Sequence, residues 1–195
     1  MIAGPNGAGK STLVERGVVR AAIGFELTSL NADVRTRQIL IADPEAVDAN
    51  LRAAIEIDAM VVKCIDEGAD FLVETVLSSD KYLDDIQKAL ALGFQFGMIY
   101  VGLASPEDSM TRVALRQAKG GHGVPKDRIM NRWARSIAML GKVAPLAHRL
   151  YVYDNTSSFE PTLIARKIGA RVELLAPGRI PAIDAVLPAP DPGPA

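Results

Sequence analysis

The chain of 195 residues is 49% hydrophobic and 23% charged, and it carries a formal net charge of −1. This length allows one globular domain with a substantial core, and the hydrophobic fraction excludes a mostly disordered chain. The single Cys64 excludes a disulfide framework and a cysteine-rich zinc site, which favours a reducing, cytoplasmic location. No apolar run approaches the roughly 20 residues that cross a bilayer, and the N-terminus lacks the pattern of a signal peptide.

Short apolar segments alternate with longer helical patterns, which predicts a mainly parallel sheet covered by helices. The five predicted strands are residues 1–3, 25–30, 70–74, 94–101 and 150–153. The predicted helices are residues 11–23, 44–67, 80–92, one that begins at Ser105-Pro106, and 125–140. Together they indicate a three-layer α/β/α fold around a five-stranded sheet. The first strand is short, since strands commonly have about five or six residues, and an earlier start of the natural protein would explain this.

The C-terminal segment differs in composition from the rest of the chain. Residues 177–195 hold six of the twelve prolines, and the sequence from Leu187 reads LPAPDPGPA. Such a sequence forms neither a helix nor a central strand, so we expect residues 177–195 to be a flexible, polyproline-like tail. The single domain is then expected to comprise residues 1–176.

A glycine-rich segment after the first strand matches the phosphate-binding pattern G-x-x-x-x-G-K-[ST]. It reads Gly4-Pro5-Asn6-Gly7-Ala8-Gly9-Lys10-Ser11 and is followed by Thr12. Glycines let backbone amides turn inward around phosphate oxygens, and the N-terminus of the next helix adds a positive dipole. Lys10 is predicted to reach the β- and γ-phosphates of ATP, and the Ser11 hydroxyl to ligate Mg²⁺. The complete pattern between a strand and a helix disfavours an accidental turn, so the sequence predicts a P-loop NTPase.

Two carboxylates follow predicted strands at the edge where open α/β sheets collect their ligands. Asp33 follows the second strand, and Glu74 ends the third beside Thr75. Either carboxylate is expected to hold Mg²⁺ through water or to accept a proton from a substrate hydroxyl. For Asp33 the alternative is the N-cap of the following helix. A carboxylate at an apolar strand end, such as that of Glu74, needs a polar partner.

Eight basic residues and one acid lie between residues 112 and 142. Arg112 and Arg116 share one helical face, and Arg128 and Arg132 repeat that spacing beyond the turn that contains His122. A kinase lid requires glycines that move and arginines that neutralise the transferring phosphoryl group. We therefore predict a helical lid over residues 112–135.

Two alternatives to a lid remain for this basic segment. It is either a solvated basic face or a nucleic-acid surface, but Trp133 is its only aromatic residue for base stacking, which disfavours nucleic-acid binding. Residues 43–89 carry four basic residues and twelve acids, so the net charge of −1 is a cancellation between an acidic and a basic region. The near-neutral average therefore does not exclude a polyanionic ligand.

Asn155 follows the fifth predicted strand within the segment Asp154-Asn155-Thr156. In P-loop kinases the corresponding loop lies near the adenine, so Asn155 is predicted to donate to the base edge. Ordinary turn chemistry explains the same residues equally well. His122 is expected either to polarise a phosphate group or only to complete its loop.

Five segments occur in the order seen in zeta-toxin-like P-loop kinases, which the chain resembles over residues 1–175. They are residues 4–11, 31–33, 74–79, 120–125 and 153–155. Zeta toxins phosphorylate UDP-N-acetylglucosamine with ATP and are held inactive by a small antitoxin. The resemblance implies that Asp33 is the general base and that Glu74 binds the substrate.

By the same resemblance, Arg116 and Arg132 contact phosphate, and Arg112 and Arg128 lie behind them. Thr75 and His122 are expected to contribute to substrate binding. The chain departs from zeta toxins at Val76, where they favour a threonine. Its glycine-glycine-histidine segment is closer to chromosomal zeta-like ATPases.

The leading prediction is an ATP- and Mg²⁺-dependent kinase for a hydroxyl of a sugar nucleotide, with a small antitoxin as a protein partner. The alternatives are a regulatory ATP-binding module that acts through a protein partner and a kinase for another small metabolite or a nucleoside. Neither a membrane nor a nucleic acid is expected as a partner.

Overall fold

A computed structural model describes residues 1–24, 27–118, 123–157 and 160–189. Seven strands in these ranges form one sheet. They are β1 (Ile2–Ala3), β2 (Thr28–Leu30), β3 (Phe71–Thr75), β4 (Gly97–Gly102), β5 (Arg149–Asp154), β6 (Thr162–Ile168) and β7 (Arg171–Leu174). The helices are α1 (Lys10–Glu15), α2 (Val18–Ile23), α3 (Ala32–Ala42), α4 (Ala49–Glu67), α5 (Leu83–Ala91), α6 (Pro106–Ala118), α7 (Lys126–Val143) and α8 (Pro181–Asp184), with a 3₁₀ turn at Ala144–Leu146.

The strand order is β2-β3-β1-β4-β5-β6-β7, and the first five strands in this order run parallel. This confirms the predicted mainly parallel α/β sheet, but the prediction of five strands is wrong. Strands β6 and β7 form an antiparallel hairpin at the sheet edge. Strand β7 alternates charged and apolar residues, and the apolar run of β6 is interrupted by Arg166 and Lys167, so neither strand has the long apolar run of a buried parallel strand.

The short β1 lies in the centre of the sheet, between β3 and β4. Ile2 pairs with Glu74 on one side and with Ile99 on the other. The chain therefore leaves β1 at the carboxyl edge of the sheet and enters the glycine-rich segment directly beside the end of β3. This register places the predicted phosphate loop and Glu74 together.

The two faces of the sheet carry separate apolar clusters, because side chains alternate along each strand. Ile2, Ile99 and Val101 pack with Leu13 of α1. On the opposite face, Tyr100 and its neighbours pack with apolar residues of α4, α5, α7 and α8. Helices thus cover both faces, as the predicted three-layer architecture requires. Among the described residues, no helix is both long and apolar enough to cross a membrane.

Several predicted helix bounds differ from those of the structure. The helix predicted over residues 11–23 is divided at Gly17, whose φ of 75° lies in the left-handed region. Residues 32–42 form α3, whereas α4 begins at Ala49 rather than at residue 44. The predicted start of α6 is confirmed by two reciprocal capping hydrogen bonds. The Asp108 backbone amide donates to Ser105 Oγ, and the Ser105 backbone amide donates to Asp108 Oδ2; both distances are 3.1 Å.

The expectation of a flexible tail from residue 177 is wrong for its first part. Residues 177–187, here called the C-terminal strap, cross the carboxyl edge of β4 with Ile180 and Ile183 fully buried. Their side chains occupy the space beside Gly102, where a Cβ atom would stand 2.5 Å from Ile183 Cδ1. Pro181 is compatible with α8 because it lies in the first turn, where no backbone donor is needed. The expected tail over residues 190–195 lies outside the described residues.

Candidate active site

The phosphate loop follows β1 in a conformation that two of its glycines make possible. Gly4 has φ of 143° and lies so close to β4 that a Cβ atom would stand 2.1 Å from the Val101 carbonyl oxygen. Gly9 has φ of 89°, and a Cβ atom there would stand 2.6 Å from Asn155 Nδ2. A side chain at either position would push the loop away from its neighbours. The predicted loop is therefore packed closely against the carboxyl ends of β4 and β5.

Lys10 is buried at the base of this loop, with 8% of its surface exposed. Its ammonium donates to the carbonyl oxygens of Gly4, at 2.9 Å, and Pro5, at 3.2 Å. Burial lowers the pKa of Lys10; the carboxylates of Glu74 and Asp33 oppose this effect, and Arg116 adds to it. A buried ammonium whose charge is under-compensated is suited to receive an anion. The charges of Glu74, Asp33 and Arg116 thus all act on the Lys10 ammonium.

Glu74 accepts two hydrogen bonds, one at each carboxylate oxygen. The Ser11 hydroxyl donates to Oε1 at 2.8 Å, and the Asn31 amide donates to Oε2 at 2.7 Å. These bonds supply the polar partners that a carboxylate at an apolar strand end requires. They also place Glu74 beside the hydroxyl predicted to ligate Mg²⁺, which favours the metal-holding alternative for this carboxylate.

Asp33 lies in the first turn of α3 and is exposed. The N-cap of this helix is Asn31, whose Oδ1 accepts from the backbone amides of Asp33, at 2.8 Å, and Val34, at 3.2 Å. The N-cap alternative for Asp33 is therefore wrong, because the residue two positions earlier performs that role. Asn31 bonds both to the helix that carries Asp33 and to Glu74, so it links the two predicted carboxylates.

Thr75, predicted on the substrate side, stabilises the turn that follows β3. Its Oγ1 accepts from the backbone amide of Leu77 at 3.0 Å. Leu77 is buried with φ of 53°, a left-handed conformation that is uncommon for a branched side chain. Such strain persists only where surrounding contacts hold it. The turn after Glu74 is therefore fixed by Thr75.

Helix α6 packs directly on the phosphate loop. A Cβ atom at Gly7 would stand 3.1 Å from both Arg112 Cβ and the Ser109 carbonyl oxygen. The Arg112 guanidinium donates to the carbonyl oxygens of Thr156, at 3.1 Å, and Ser157, at 3.3 Å. Arg112 thus fastens α6 to the loop after β5, while Arg116, one turn later, is exposed near Lys10.

Helix α7 is fixed to the turns after β3 and β4. The buried Ser136 donates to the Val76 carbonyl oxygen at 2.7 Å, and Trp133 donates to that of Leu103 at 3.1 Å. Arg132 is half-buried one turn before Ser136, and Arg128 is exposed one turn earlier still. Both arginines therefore share the helix face that meets the turn after Glu74.

His122, for which a phosphate contact is predicted, lies outside the described residues. The same is true of residues 119–121 of the predicted lid, which include the glycine pair. Residues 112–118 and 123–135 of the lid are described, and they form parts of α6 and α7 together with the connection before α7.

Asn155 contacts the phosphate loop itself. Its Nδ2 donates to the Ala8 carbonyl oxygen at 2.7 Å, and its backbone amide donates to that of Gly102 at 3.0 Å. A loop that turns its amides inward leaves carbonyl groups facing outward, and these need donors. One N–H of the Asn155 side-chain amide is therefore already occupied, and the predicted hydrogen bond to the edge of a base would have to come from the other.

Sequence reasoning missed three residues of this network: Asn31 as a bridge, Ser136 and Arg179. Arg179 of the C-terminal strap donates to the buried Asp154 at 2.8 Å. For the N-cap role of Asn31 a signal was present, since Asn is a preferred N-cap residue before a helix with an acid in its first turn, but its bond to Glu74 had none. For the other two, no local pattern in the sequence indicates the partner.

The residues present fit a bound Mg²⁺. In the part of the chain that the structure describes, no three His, Cys, Asp or Glu residues form a cluster that would hold a metal alone. Magnesium needs few protein ligands beside a nucleotide, because phosphate oxygens and water complete its shell. Ser11 and Glu74 supply adjacent hydroxyl and carboxylate oxygens of the preferred kind.

No protein-family model and no curated protein sequence matches the chain. Among solved structures, a chain of the AvrRxo1-ORF1:AvrRxo1-ORF2 complex with ATP aligns with a TM-score of 0.69 and 15% identity, over 90% of this chain and 60% of that one. A chain of the PezAT chromosomal toxin–antitoxin system of Streptococcus pneumoniae aligns with a TM-score of 0.59 and 15% identity, over 82% of this chain and 69% of that one.

The chain thus spans about 60% of the AvrRxo1 chain. At this level of identity the likeness concerns the fold. The expected α/β fold is confirmed: the chain has the fold of the AvrRxo1 and PezAT structures.

Proposed function

We propose that the chain is an ATP-dependent small-molecule kinase of the zeta-toxin type, which phosphorylates a hydroxyl group of a sugar nucleotide such as UDP-N-acetylglucosamine. The observation that carries this proposal is the network of Ser11, Glu74 and Asn31, which joins the phosphate loop to the start of α3. It puts a P-loop and a carboxylate with an exposed side chain, Asp33, at one edge of the sheet. The P-loop kinase-like fold supports the same reaction class.

Residues 4–12 bind the triphosphate of ATP. Lys10 exchanges its two carbonyl contacts for the β- and γ-phosphates, because a phosphate anion compensates the buried ammonium better than neutral carbonyls do. Ser11 and Glu74 would hold Mg²⁺, which would supply positive charge to the phosphate oxygens. The backbone amides of the loop orient the phosphate chain for transfer.

Asp33 acts as the general base. It takes the proton from the acceptor hydroxyl while that oxygen bonds to the γ-phosphorus, and the bond from phosphorus to the β–γ bridging oxygen breaks to release ADP. An exposed carboxylate in the first turn of α3 is accessible to such a substrate. Asn31 positions it, because it caps α3 and is itself bonded to Glu74.

The arginines of α6 and α7 neutralise the transferring phosphoryl group. Arg116 is the contact from α6, since it lies near Lys10, and Arg132 is the contact from α7. Arg128 adds positive charge behind Arg132, whereas Arg112 holds α6 in place through its contacts to the loop after β5. Thr75 and His122 complete the substrate side.

A small antitoxin is the proposed protein partner. The AvrRxo1 structure is a complex of two proteins, and PezAT is a toxin–antitoxin system. A protein that inhibits this chain would bind at the carboxyl edge of the sheet, where ATP and the acceptor enter.

The test is ATP turnover against a panel of sugar nucleotides, nucleosides and small metabolites, with the phosphorylated product identified by mass spectrometry. Asp33→Asn is expected to abolish product formation and to spare ATP binding. Asp43→Asn is the matched control, because Asp43 is an exposed aspartate at the other end of α3. Full kinase activity of Asp33→Asn would overturn the general-base role. ATP hydrolysis without any phosphorylated product would instead indicate a regulatory module.

A further inference from the structure

Asp154 is a buried carboxylate at the end of β5, with 4% of its side chain exposed. Its Oδ1 accepts from the backbone amide of Thr156 at 2.8 Å and from the Thr156 hydroxyl at 2.5 Å. Its Oδ2 accepts from Arg179 Nε at 2.8 Å. Both oxygens are therefore used, one within the loop and one by the C-terminal strap.

The loop organised by Asp154, here called the β5 loop (residues 154–157), contacts the phosphate site from two directions. Asn155 donates to the Ala8 carbonyl oxygen of the phosphate loop. Thr156 accepts from the Ala104 amide at 2.8 Å, and its carbonyl oxygen accepts from Arg112 of α6. A change in the conformation of the β5 loop is thus transmitted both to the phosphate loop and to α6.

The C-terminal strap holds Arg179 in place independently of this ion pair. Ile180, the next residue, is fully buried, as is Ile183. The Gly178 amide donates to Asp184 Oδ2 at 2.6 Å, which closes the strap on itself. These contacts fix the backbone at position 179, so a change of the Arg179 side chain alters the charge presented to Asp154 without detaching the strap.

The electrostatics make the carboxylate dependent on this partner. Burial raises the pKa of Asp154, but hydrogen bonds from Thr156 and the guanidinium of Arg179 outweigh burial, and the pKa is lowered overall. Without Arg179, the buried carboxylate keeps its desolvation cost and loses the counter-charge on Oδ2. Its hold on Thr156 through Oδ1 is then expected to loosen.

We propose that Arg179 is a positioning residue for ATP binding: through Asp154 it fixes the β5 loop, which holds the phosphate loop and α6 in their binding geometry. This inference rests on the proposed function, because ATP is the ligand whose site is positioned. It assigns a role to the C-terminal strap, a segment expected from its prolines to be a flexible tail.

The test compares three variants by calorimetric titration with Mg-ATP. Arg179→Gln removes the charge, Arg179→Lys keeps it, and Arg166→Gln breaks an ion pair with Glu173 on the edge hairpin. The last variant is a matched control, since the side chain of Arg166 is 47% exposed and that of Arg179 is 45% exposed. Arg179→Gln is expected to weaken ATP binding about tenfold, Arg179→Lys less than about threefold, and Arg166→Gln not at all.

Amide hydrogen exchange of the ligand-free variants provides a second readout. Arg179→Gln is expected to speed exchange in residues 154–157 and in the phosphate loop, with no change in β6 and β7. Wild-type affinity and exchange in Arg179→Gln would overturn the inference and leave the proposed function standing. An absence of ATP binding by the wild-type protein would overturn the proposed function and, with it, the role of Arg179.

Discussion

The substitution Asn31→Asp tests the bridge between α3 and Glu74 most selectively. Aspartate is as good an N-cap as asparagine, so the bonds from the first-turn amides to Oδ1 are retained. The amide that donates to Glu74 Oε2 at 2.7 Å is replaced by a second carboxylate oxygen. The change therefore converts one attractive contact into a repulsive one and preserves the cap.

The expected loss in the free energy of unfolding follows from this geometry. Two carboxylates that relax to a separation of ~4 Å repel by ~4 kcal/mol at an effective dielectric constant of ~20. Loss of the hydrogen bond adds ~1 kcal/mol, and the favourable interaction of the new charge with the dipole of α3 returns ~1 kcal/mol. Because the site is half-buried and partly screened, we expect a net loss of about 2–3 kcal/mol in the free energy of unfolding at pH 7.

The pH dependence distinguishes repulsion from a loss of packing. Like charges raise the pKa of the pair in the folded variant, and a carboxyl pKa raised by folding costs stability at high pH. This cost disappears as the pH falls through the raised pKa. Urea unfolding between pH 5 and 8 is the assay, with Asn131→Asp on the exposed surface of α7 as the control. A loss that is equal at pH 5 and pH 8 would refute the reasoning.

Three further predictions concern other parts of the site and its support. Lys10→Met is expected to lower ATP turnover by about a hundredfold or more. The same change is expected to raise the midpoint of thermal unfolding of the ligand-free protein, because it removes a buried ammonium whose pKa is lowered by burial. Ile183→Ala is expected to cost about 3 kcal/mol in urea unfolding, whereas the same change at the half-exposed Ile168 costs less than about 1 kcal/mol; equal effects would mean that the strap does not pack. Because the pKa of Asp154 is lowered from 3.8 in the folded protein, its stabilising contribution is present above about pH 4 and is lost on acidification, so Asp154→Asn should flatten the fall of stability below pH 4.

The phosphate loop was predictable because its chemistry is contiguous in sequence. Eight consecutive residues supply the turn, the ammonium and the hydroxyl, and each of these groups is a property of a residue type at a fixed spacing. The positions of Asp33 and Glu74 were predictable from a topological rule, since the carboxyl ends of neighbouring parallel strands meet at one edge of the sheet.

The contacts that hold these groups in place were not predictable. Asn31 and Glu74 are 43 residues apart, Ser136 and Val76 are 60 apart, and Arg179 and Asp154 are 25 apart. Each pair forms only when elements distant in sequence pack together, and a serine or an arginine in a helix or loop carries no sign of its partner.

Proline content was the least reliable signal. Six prolines suggested that residues 177–195 lack fixed structure, yet Ile180 and Ile183 bury their side chains against Gly102. Proline removes one backbone donor and fixes one dihedral angle, but it does not prevent neighbouring apolar side chains from packing. The isoleucines, three residues apart on one face, were the relevant pattern.

The central claim is that the carboxyl edge of this sheet transfers the γ-phosphoryl group of ATP to an alcohol. The most direct measurement is the ratio of phosphorylated acceptor to ADP, followed over time with γ-labelled ATP and UDP-N-acetylglucosamine. The account predicts that the two products form in equal amounts and that Asp33→Asn abolishes both without loss of ATP binding. Formation of ADP with the label released as inorganic phosphate, for this and every other alcohol acceptor offered, would contradict it.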